Sequence, residues 1–436
     1  MTSTFHFDSY ELKEDRQTIA FFYHLQLEDA THNFVETLQL HAPIPVSYSQ
    51  KLLKNYLLSL HLALGISYWK LTCSNSVLVH SGELSDQQAE FWNTTYGIGL
   101  GEFYYKNQID FRAIKPFIGT HVAQSFASNT QPKPEKYLIG IGGGKDSLVT
   151  LEVMKQHALP FDSFIVDSGF LFSHPLHTVS EHLQSQLYVN RHLDPSLFQL
   201  NSLGTYYNGH IPVSMIFAFI GTFVASAFGY SAFVVSNEAS SNEGNVQYLG
   251  FEINHQWSKS TTFEKLFQRY LTTFGEQASR YFSFLRPLND LQISALFSQM
   301  TQYHAVSTSC NRAFRITNTT TPVRWCKSCA KCVFTYLMMK PFLTPDQRNT
   351  LFDGSFPIER NSDLIAQLRG EKDVKPFDCV GTPNEVIQAM RLANHETLSS
   401  TEVLSYSEES LIPTPLREIV REAHKQAISI IQKATS

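Results

Sequence analysis

A glycine-rich run between an apolar stretch and a helical pattern carries the strongest chemical signal in the chain. It contains Gly142, Gly143 and Gly144, and its flanks at 137–141 and 148–154 are typical of a strand and a helix. Consecutive glycines let backbone N–H groups approach an anion, and the N-terminus of the following helix adds the positive end of its dipole. We therefore predict a phosphate-binding loop, with a glycine-rich tight turn as the alternative interpretation.

The three residues after these glycines add polar side chains that suit a nucleotide. Lys145 and Ser147 supply donors for phosphate oxygens, and Asp146 could hold Mg²⁺ on the phosphates. The common phosphate loop has Ser or Thr after its Gly-Lys pair, whereas Asp146 follows Lys145 here. The dinucleotide fingerprint is also excluded, because no third glycine falls at the required spacing. The sequence predicts a phosphate site of another kind.

Four of the six cysteines lie close together in sequence. They are Cys310, Cys326, Cys329 and Cys332, and the last three are separated by two residues each. Four thiolates at such separations can surround a tetrahedral Zn²⁺ ion, which we predict here as a structural metal. A short cysteine run of this kind is also seen in iron–sulfur proteins, and unliganded thiols are the third interpretation.

A second group of polar residues precedes a helical pattern. His255 and Lys259 lie in residues 254–260, and Thr261 with Glu264 three residues later predicts a capping box at the start of the helix. A helix N-terminus with a lysine beside it is a plausible anion site. The alternative is that His255 and Lys259 only cap and cover this helix.

Cys379 lies just ahead of another predicted helix start. Thr382 is the predicted N-cap and Pro383 the first helical residue. A thiol near a helix N-terminus can have a lowered pKa, which makes Cys379 a candidate proton-transferring base. A buried, inert cysteine is the alternative.

The elements around the glycine loop alternate between strand and helix. The predicted strands are residues 137–141, 164–166, 187–189 and 232–235. Such alternation indicates an α/β fold with a parallel sheet covered on both faces, whose ligands bind at the carboxyl ends of the strands. Those ends carry Asp167, Ser168, Asn237 and Glu238, which we predict to line a nucleotide cleft. For Glu238, a solvated loop acid is the alternative to a Mg²⁺ or ribose ligand.

The rest of the chain divides by composition. Residues 1–130 read as an N-terminal α+β domain that starts with a hairpin and continues with helical patterns at 52–64 and 87–103. A polar stretch with two prolines at 128–135 predicts a linker. The domain with the glycine loop and the cysteine cluster then takes residues 135–345, and short helices form a C-terminal extension at 346–436.

Composition limits the function classes. Hydrophobic residues make up 43% of the 436 residues, which excludes a disordered chain. The 34 basic and 39 acidic side chains leave a net charge of −5, whereas proteins that clamp long nucleic acids usually have a basic excess. We expect no nucleic-acid partner. The first residues lack the pattern of a secretory signal, so we predict a cytoplasmic protein.

One uncharged segment is long enough to cross a membrane. Residues 211–237 contain no charged side chain. Gly229 interrupts the segment, and residues 232–235 read as a short strand, so a buried helix at 213–228 followed by a buried strand explains it without lipid. Basic flanks and aromatic belts are also missing, and we expect no membrane partner.

The glycine loop resembles a known superfamily motif. Residues 142–147 are similar to the Ser-Gly-Gly-x-Asp-Ser loop of the PP-loop ATP pyrophosphatases, with Gly142 in place of the first Ser. The resemblance implies an adenine nucleotide alpha hydrolase-like core that holds the pyrophosphate of ATP in this loop and activates a substrate oxygen by adenylation.

Further blocks narrow the resemblance to one family. The chain resembles the UDP-N-acetyl-alpha-D-muramoyl-L-alanyl-L-glutamate epimerases of bacterial cell-wall synthesis, through residues 60–70, 236–245, 254–260, 325–332 and 376–382 together with the loop. The resemblance implies an ATP- and Mg²⁺-dependent isomerase. It would epimerise the terminal L-glutamate of UDP-MurNAc-L-Ala-L-Glu through an acyl-adenylate and release AMP and pyrophosphate.

That reaction assigns roles to the residues already singled out. The loop from Gly142 to Ser147 would bind pyrophosphate and Mg²⁺, and the strand ends would bind the nucleotide. Lys145, Asp146, Ser147, His255, Lys259 and Cys379 are the candidate catalytic residues. Two other functions stay open at this point, namely a PP-loop ligase that modifies a nucleoside or tRNA and a nucleotide-binding sensor without catalysis.

Overall fold

Nine strands form one sheet in the computed structural model, which describes residues 3–120, 136–168, 179–183, 185–277, 280–314, 323–399, 405–407 and 411–434. Its order is β11-β8-β5-β6-β7-β3-β2-β1-β4, and β9 and β10 form a separate antiparallel pair. The strands are β1 Ser3–Leu12, β2 Thr18–Leu27, β3 Thr31–Leu40, β4 Ser76–Val79, β5 Tyr137–Gly140, β6 Phe161–Asp167, β7 Gln186–His192, β8 Ala232–Val235, β9 Val246–Tyr248, β10 Phe251–Ile253 and β11 Tyr281–Ser283.

The helices lie mostly between and after these strands. They are α1 Gln50–Trp69, α2 Asp86–Tyr96, α3 Gly101–Asn107, α4 Lys145–Gln156, α5 Ser196–Ser202, α6 Val213–Ala227, α7 Thr261–Thr272, α8 Asp290–Ser298, α9 Ala330–Met339, α10 Pro345–Leu351, α11 Ser362–Leu368, α12 Pro383–Ala393 and α13 Thr414–Ala434. Short 3-10 turns occupy Ile98–Leu100, Ala239–Asn242, Trp257–Lys259, Thr301–Tyr303 and Ile358–Asn361.

Five neighbouring strands, β11, β8, β5, β6 and β7, run parallel to one another. Adjacent side chains along these strands lie on opposite faces of the sheet and pack in different hydrophobic cores. Leu138 and Phe233 belong to the core shared with α1 and α6, whereas Ile139 and Val234 belong to the core shared with α4 and α8. Burial on both faces is the expected property of a parallel sheet. The predicted mixed α/β fold with a parallel sheet is confirmed.

The other four strands continue the same sheet. β1 and β2 form the predicted hairpin, and β3, which the sequence analysis did not predict, pairs antiparallel with both β2 and β7. The first 40 residues therefore join the sheet of the central segment. The predicted linker at 128–135 lies outside the described residues, and the bounds of the three predicted domains stay predictions.

The helical patterns are observed with adjusted ends. The pattern at 52–64 forms α1 over Gln50–Trp69. The pattern at 87–103 is broken in two, because Gly97 adopts a ψ of −104° and ends α2. In the C-terminal extension the helices are short, as predicted, except for the 21-residue α13.

The uncharged segment is internal to the fold. Its helix is α6 and its strand is β8, and most of their side chains are buried. A side chain on Gly221 would lie 2.4 Å from the Phe233 ring, so α6 packs directly on β8. Among the described residues no helix combines the length and apolar character needed to cross a bilayer.

Candidate active site

The glycine loop connects the end of β5 to the start of α4 and rests on a later segment of the chain. Gly143 has a φ of 79°, a left-handed conformation that favours glycine, and its carbonyl accepts a 3.0 Å hydrogen bond from the Thr308 N–H. A Cβ on Gly144 would lie 2.9 Å from the Ser309 hydroxyl, whereas one on Gly142 would meet nothing within 4 Å. Gly142 therefore borders open space, and the other two glycines pack against residues 308 and 309.

The polar side chains after the loop contact protein groups. Lys145 is buried at the start of α4, its ammonium lies 2.5 Å from the Asp290 carboxylate, and it also donates to Asp146. The Ser147 hydroxyl donates a 3.1 Å hydrogen bond to the Gly144 carbonyl. Burial alone would lower the pKa of Lys145, but these two carboxylates outweigh it and hold that pKa above its ordinary value.

Carboxylates gather around this lysine. Burial, followed by the charges of Asp290 and Asp146, raises the pKa of Glu238 to about 7. Lys259 and Lys331 face the same carboxylate and partly oppose that rise. These three acids and the lysines beside them define the region that we call the cleft. Such crowding of like charges is more typical of a site that binds a cation or an anionic ligand than of a structural ion pair.

The Asp290 side of the cleft is held by the start of α12. The Glu385 carboxylate accepts hydrogen bonds from the Asp290 N–H at 2.7 Å and from the Thr382 N–H at 2.6 Å. The capping box of Thr382 and Glu385 confirms the predicted start of this helix. A Cβ on Gly381 would lie 2.5 Å from Glu385 and 2.9 Å from Asp290, so these carboxylates fill the space of a side chain.

A cysteine and a histidine lie beside the lysines. The half-buried Cys379 has its sulfur 3.2 Å from the Lys259 ammonium and also interacts with the His255 ring. His255 Nδ1 lies 2.5 Å from a carboxylate oxygen of Glu102, and the ring of His210 lies 4.3 Å from the ring of His255. The sequence-predicted residues Lys259, His255 and Cys379 are therefore brought together at one place.

The predicted capping box at Thr261 is wrong. Ser260 is the N-cap of α7, and its hydroxyl accepts from the Phe263 N–H. Glu264 instead forms a fully buried ion pair with Arg286 at 2.9 Å. Arg286 also donates to the carbonyls of Glu238 and Lys259, so this pair fixes the backbone that carries two cleft residues.

The strand-end residues take more ordinary positions. Asp167 is buried at the end of β6, and Ser168 follows it half-buried. The Asn237 N–H donates 2.7 Å to the Ser283 hydroxyl after β8. None of these contacts excludes or requires a nucleotide.

The four clustered cysteines meet in space. The sulfurs of Cys310, Cys326, Cys329 and Cys332 all lie within 4.8 Å of one another, and those of Cys326 and Cys332 are 3.8 Å apart. Zinc–sulfur bonds of about 2.3 Å in a tetrahedron give sulfur–sulfur separations of about 3.8 Å, so the spacing fits that metal. All six cysteines are free thiols. The cluster begins two residues after Thr308, whose N–H supports the glycine loop.

Several cleft residues were missed in the sequence. Asp290 follows the N-cap Asn289 and reads as an ordinary first-turn acid, and Glu102 occupies the same kind of position in α3. Lys331 was hidden within the cysteine pattern. The only signal of the two acids is their position in the first turn of a helix. A single sequence cannot distinguish a cleft residue at that position from one that caps the helix.

The fold and the cleft define an α/β protein with a buried cluster of lysines, carboxylates and a thiol beside a glycine loop. The chain belongs to the MurL family: residues 1–284 match the model described as the MurL N-terminal domain, and residues 306–419 match the MurL C-terminal domain.

Curated relatives carry one shared name. Three proteins named UDP-N-acetyl-alpha-D-muramoyl-L-alanyl-L-glutamate epimerase are similar to the chain. The Micromonospora sp. protein is 33% identical over 89% of this chain and 86% of its own length. The Salinispora tropica protein is 32% identical over 90% and 85%, and the Xanthomonas oryzae pv. oryzae protein is 32% identical over 76% and 72%.

Proposed function

We propose that the protein epimerises the terminal L-glutamate of UDP-MurNAc-L-Ala-L-Glu to D-glutamate in an ATP-dependent reaction of peptidoglycan synthesis. The observation that carries this proposal is the meeting of two sites in one cleft. A glycine loop with Lys145 and Asp146 lies on one side, and the thiol of Cys379 with His255 lies on the other. Lys259 faces both Glu238 and Cys379 and so connects the sites.

The chemistry explains why an epimerase would need ATP. A glutamate carboxylate opposes loss of the neighbouring Cα proton, because its negative charge destabilises the carbanion. Attack of a carboxylate oxygen on the α-phosphorus of ATP expels pyrophosphate and gives a neutral acyl group. The proton can then leave one face and return on the other. Hydrolysis of the adenylate releases AMP and the D-glutamyl product, so the reaction is balanced with one ATP and one water.

The loop residues would bind the leaving pyrophosphate. Backbone N–H groups of Gly142, Gly143 and Gly144 precede α4, and Ser147 lies in its first turn. The open space at Gly142 leaves room for phosphate oxygens. The loop follows β5, the first of the five parallel strands in chain order. Asp167, Ser168 and Asn237 stay candidates for contacts with the nucleotide.

The acids of the cleft favour Mg²⁺. Asp146, Glu238 and Asp290 would repel a pyrophosphate unless a divalent cation lay between them. Mg²⁺ typically binds one or two carboxylates together with substrate phosphates. Asp146 and Glu238 are the ligands that we propose, because the side chain of Asp146 is 25% exposed, whereas that of Asp290 is 3% exposed against Lys145.

A structural Zn²⁺ would hold the four clustered cysteines. Its role would be support rather than chemistry, because Cys310 lies next to the segment whose Thr308 N–H binds the glycine loop. Metal analysis should find about one zinc per chain, as in a closed four-thiolate site. Cys329→Ser should lose the metal and lower the melting temperature, with Cys73→Ser, at a buried cysteine outside the cluster, as the control that keeps the metal. A metal-free, fully stable and active protein would exclude this role.

Incubation with ATP, Mg²⁺ and UDP-MurNAc-L-Ala-L-Glu tests the activity. We expect D-glutamate on chiral analysis, with AMP and pyrophosphate in step. In D₂O, deuterium should enter the glutamate Cα only when ATP and Mg²⁺ are present. Deuterium uptake without ATP would exclude the adenylate route, and ATP consumption with a nucleoside alone would favour a PP-loop ligase. Because the reaction consumes ATP, we expect it in the cytoplasm.

A further inference from the structure

Cys379 belongs to a chain of buried polar groups that ends in the cleft. Its sulfur lies 3.2 Å from the Lys259 ammonium and also interacts with the His255 ring. On its other side His255 contacts Glu102 at 2.5 Å, and both of these side chains are only 10% exposed. Cys379 itself is half-buried, so the residue is not enclosed in the core.

This order of groups has a recognised chemical use. A reactive side chain hydrogen-bonded to a histidine, which a carboxylate orients in turn, is the arrangement that activates catalytic thiols and hydroxyls. Glu102 belongs to α3, His255 to the segment before α7, and Cys379 to the loop before α12. Three segments that are distant in sequence therefore meet beside this sulfur. Capping of α7 or α12 alone would not require all three of these side chains.

We propose that Cys379 is one of the two groups that transfer the Cα proton of the glutamate, and that Glu102 acts through His255 as its positioning residue. This inference rests on the proposed function, because it assumes an adenylated glutamate in the cleft.

The step balances without an external reagent. The Cys379 thiolate takes the Cα hydrogen as a proton, an S–H bond forms, and the electron pair of the C–H bond moves onto the acyl group to give an enolate. A donor on the opposite face returns a proton to Cα and restores the carbonyl. No electron leaves the substrate, and the adenylate is hydrolysed afterwards.

The surroundings of Cys379 favour the thiolate. Burial alone would raise its pKa, but the charges of Lys259, His255 and Lys331 hold that pKa well below the ordinary value. Asp378 is the acid that faces it from its own loop. Burial alone would likewise lower the pKa of His255, but hydrogen bonds to Cys379 and Glu102 raise it to about 9.

Another cysteine serves as a control. Cys73 is buried at the end of α1, and burial raises the pKa of its thiol to about 12. Its sulfur donates a 3.7 Å hydrogen bond to the Lys70 carbonyl and has no histidine partner among the described residues. The Cys73→Ala variant therefore tests loss of a thiol without loss of the proposed base.

The first experiment uses Cys379→Ala in the full chain with ATP, Mg²⁺ and UDP-MurNAc-L-Ala-L-Glu. We expect D-glutamate formation to fall by at least about 100-fold, the size of a general-base contribution, while pyrophosphate release stays within about tenfold of the parent. The terminal glutamate of the recovered UDP-MurNAc-dipeptide should stay in the L form. D-glutamate formation above a tenth of the parental rate would overturn the assignment.

The same measurements separate the two proposals. If the parent protein releases no pyrophosphate, the proposed function fails. If only the folded Cys379→Ala protein, verified by circular dichroism, loses pyrophosphate release, Cys379 belongs to adenylation and the base assignment fails. Cys73→Ala should match the parent in both measurements.

Glu102→Gln tests the positioning role. Loss of this carboxylate should lower the pKa of His255, weaken its charge near neutral pH and raise the pKa of Cys379. The ultraviolet absorbance of the thiolate, taken as the difference from Cys379→Ala, should titrate at higher pH, and the acid limb of kcat should move with it. Glu102→Asp should restore part of both shifts. A purely structural role would lower the folded fraction and leave both titrations unchanged, which would overturn this part.

Discussion

Two buried charge clusters of this molecule are built on opposite rules. Where β3 meets β7, Arg191 lies 2.6 Å from Glu36, and burial raises the pKa of that glutamate while the arginine is the next influence and lowers it. In the cleft, burial also raises the pKa of Glu238, but the next influences are Asp290 and Asp146, which raise it further. The first cluster pairs one acid with one base, whereas the second places three acids close together among lysines.

The difference shows which cluster serves the fold. The planar guanidinium of Arg191 also donates to the Ser67 hydroxyl, so its bonds connect β7 to β3 and to α1. Lys145 is shared by two carboxylates and can exchange partners when a ligand enters. Groups that destabilise one another persist where function needs them, and this favours the cleft as the active site.

The largest expected effect is loss of catalysis from the cleft. Asp146→Ala should lower AMP and pyrophosphate release by at least about 1,000-fold, because both a cation ligand and a partner of Lys145 are lost. The ion pair of Lys145 with Asp290 stays in this variant, so the free energy of unfolding should change by less than about 1 kcal/mol. Coupled pyrophosphate assays and urea unfolding measure the two. Parental turnover would show that the loop is not the phosphate site.

The next effect breaks the other cluster. Glu36→Gln leaves Arg191 buried without a countercharge and should lower the free energy of unfolding by about 3 kcal/mol. The pair lies outside the cleft, so kcat of the folded enzyme should stay at the parental value. Urea unfolding and assays well below the melting temperature measure the two outcomes. A large loss of kcat in the folded variant would contradict the division between the clusters.

A pH effect sharpens the comparison within the cleft. Because the pKa of Glu238 is raised to about 7, protons compete with Mg²⁺ for this carboxylate below neutral pH. The affinity for Mg²⁺ in the presence of ATP should fall about tenfold from pH 8 to pH 6. Glu238→Gln should bind Mg²⁺ more weakly and lose this pH dependence, as calorimetry can determine. An unchanged slope would remove Glu238 from the metal site.

The smallest effect comes from an exposed pair. Glu11 lies 2.5 Å from Lys13, with side chains 53% and 44% exposed. Solvent screens such pairs, so Glu11→Gln should change the free energy of unfolding by less than about 0.5 kcal/mol. It is the matched control for Glu36→Gln in the same urea experiment, and equal losses would mean that burial does not explain the larger effect.

The sequence predicted features that depend on neighbouring residues better than contacts between residues far apart in the chain. The glycine loop, the helix start at Thr382 and the buried strand β8 depend on neighbouring residues, and the structure has all three. Asp290 and Glu102 reach the cleft through tertiary packing, which spacing along the chain does not encode. Glu264 is another residue whose contact the spacing did not predict. Its position three residues after Thr261 fits a capping box, but its carboxylate forms an ion pair with Arg286, which is distant in sequence.

The pairing of β3 with β7 also sets an order of events during synthesis. Residues 31–40 of β3 leave the ribosome long before residues 186–192 of β7. Until β7 is synthesised, one edge of β3 is unpaired and Glu36 lacks its ion-pair partner Arg191. Open strand edges recruit other chains, and late, distant pairings fold slowly. The interval between the two strands is therefore when a nascent chain is most exposed to edge-to-edge aggregation and gains most from a chaperone.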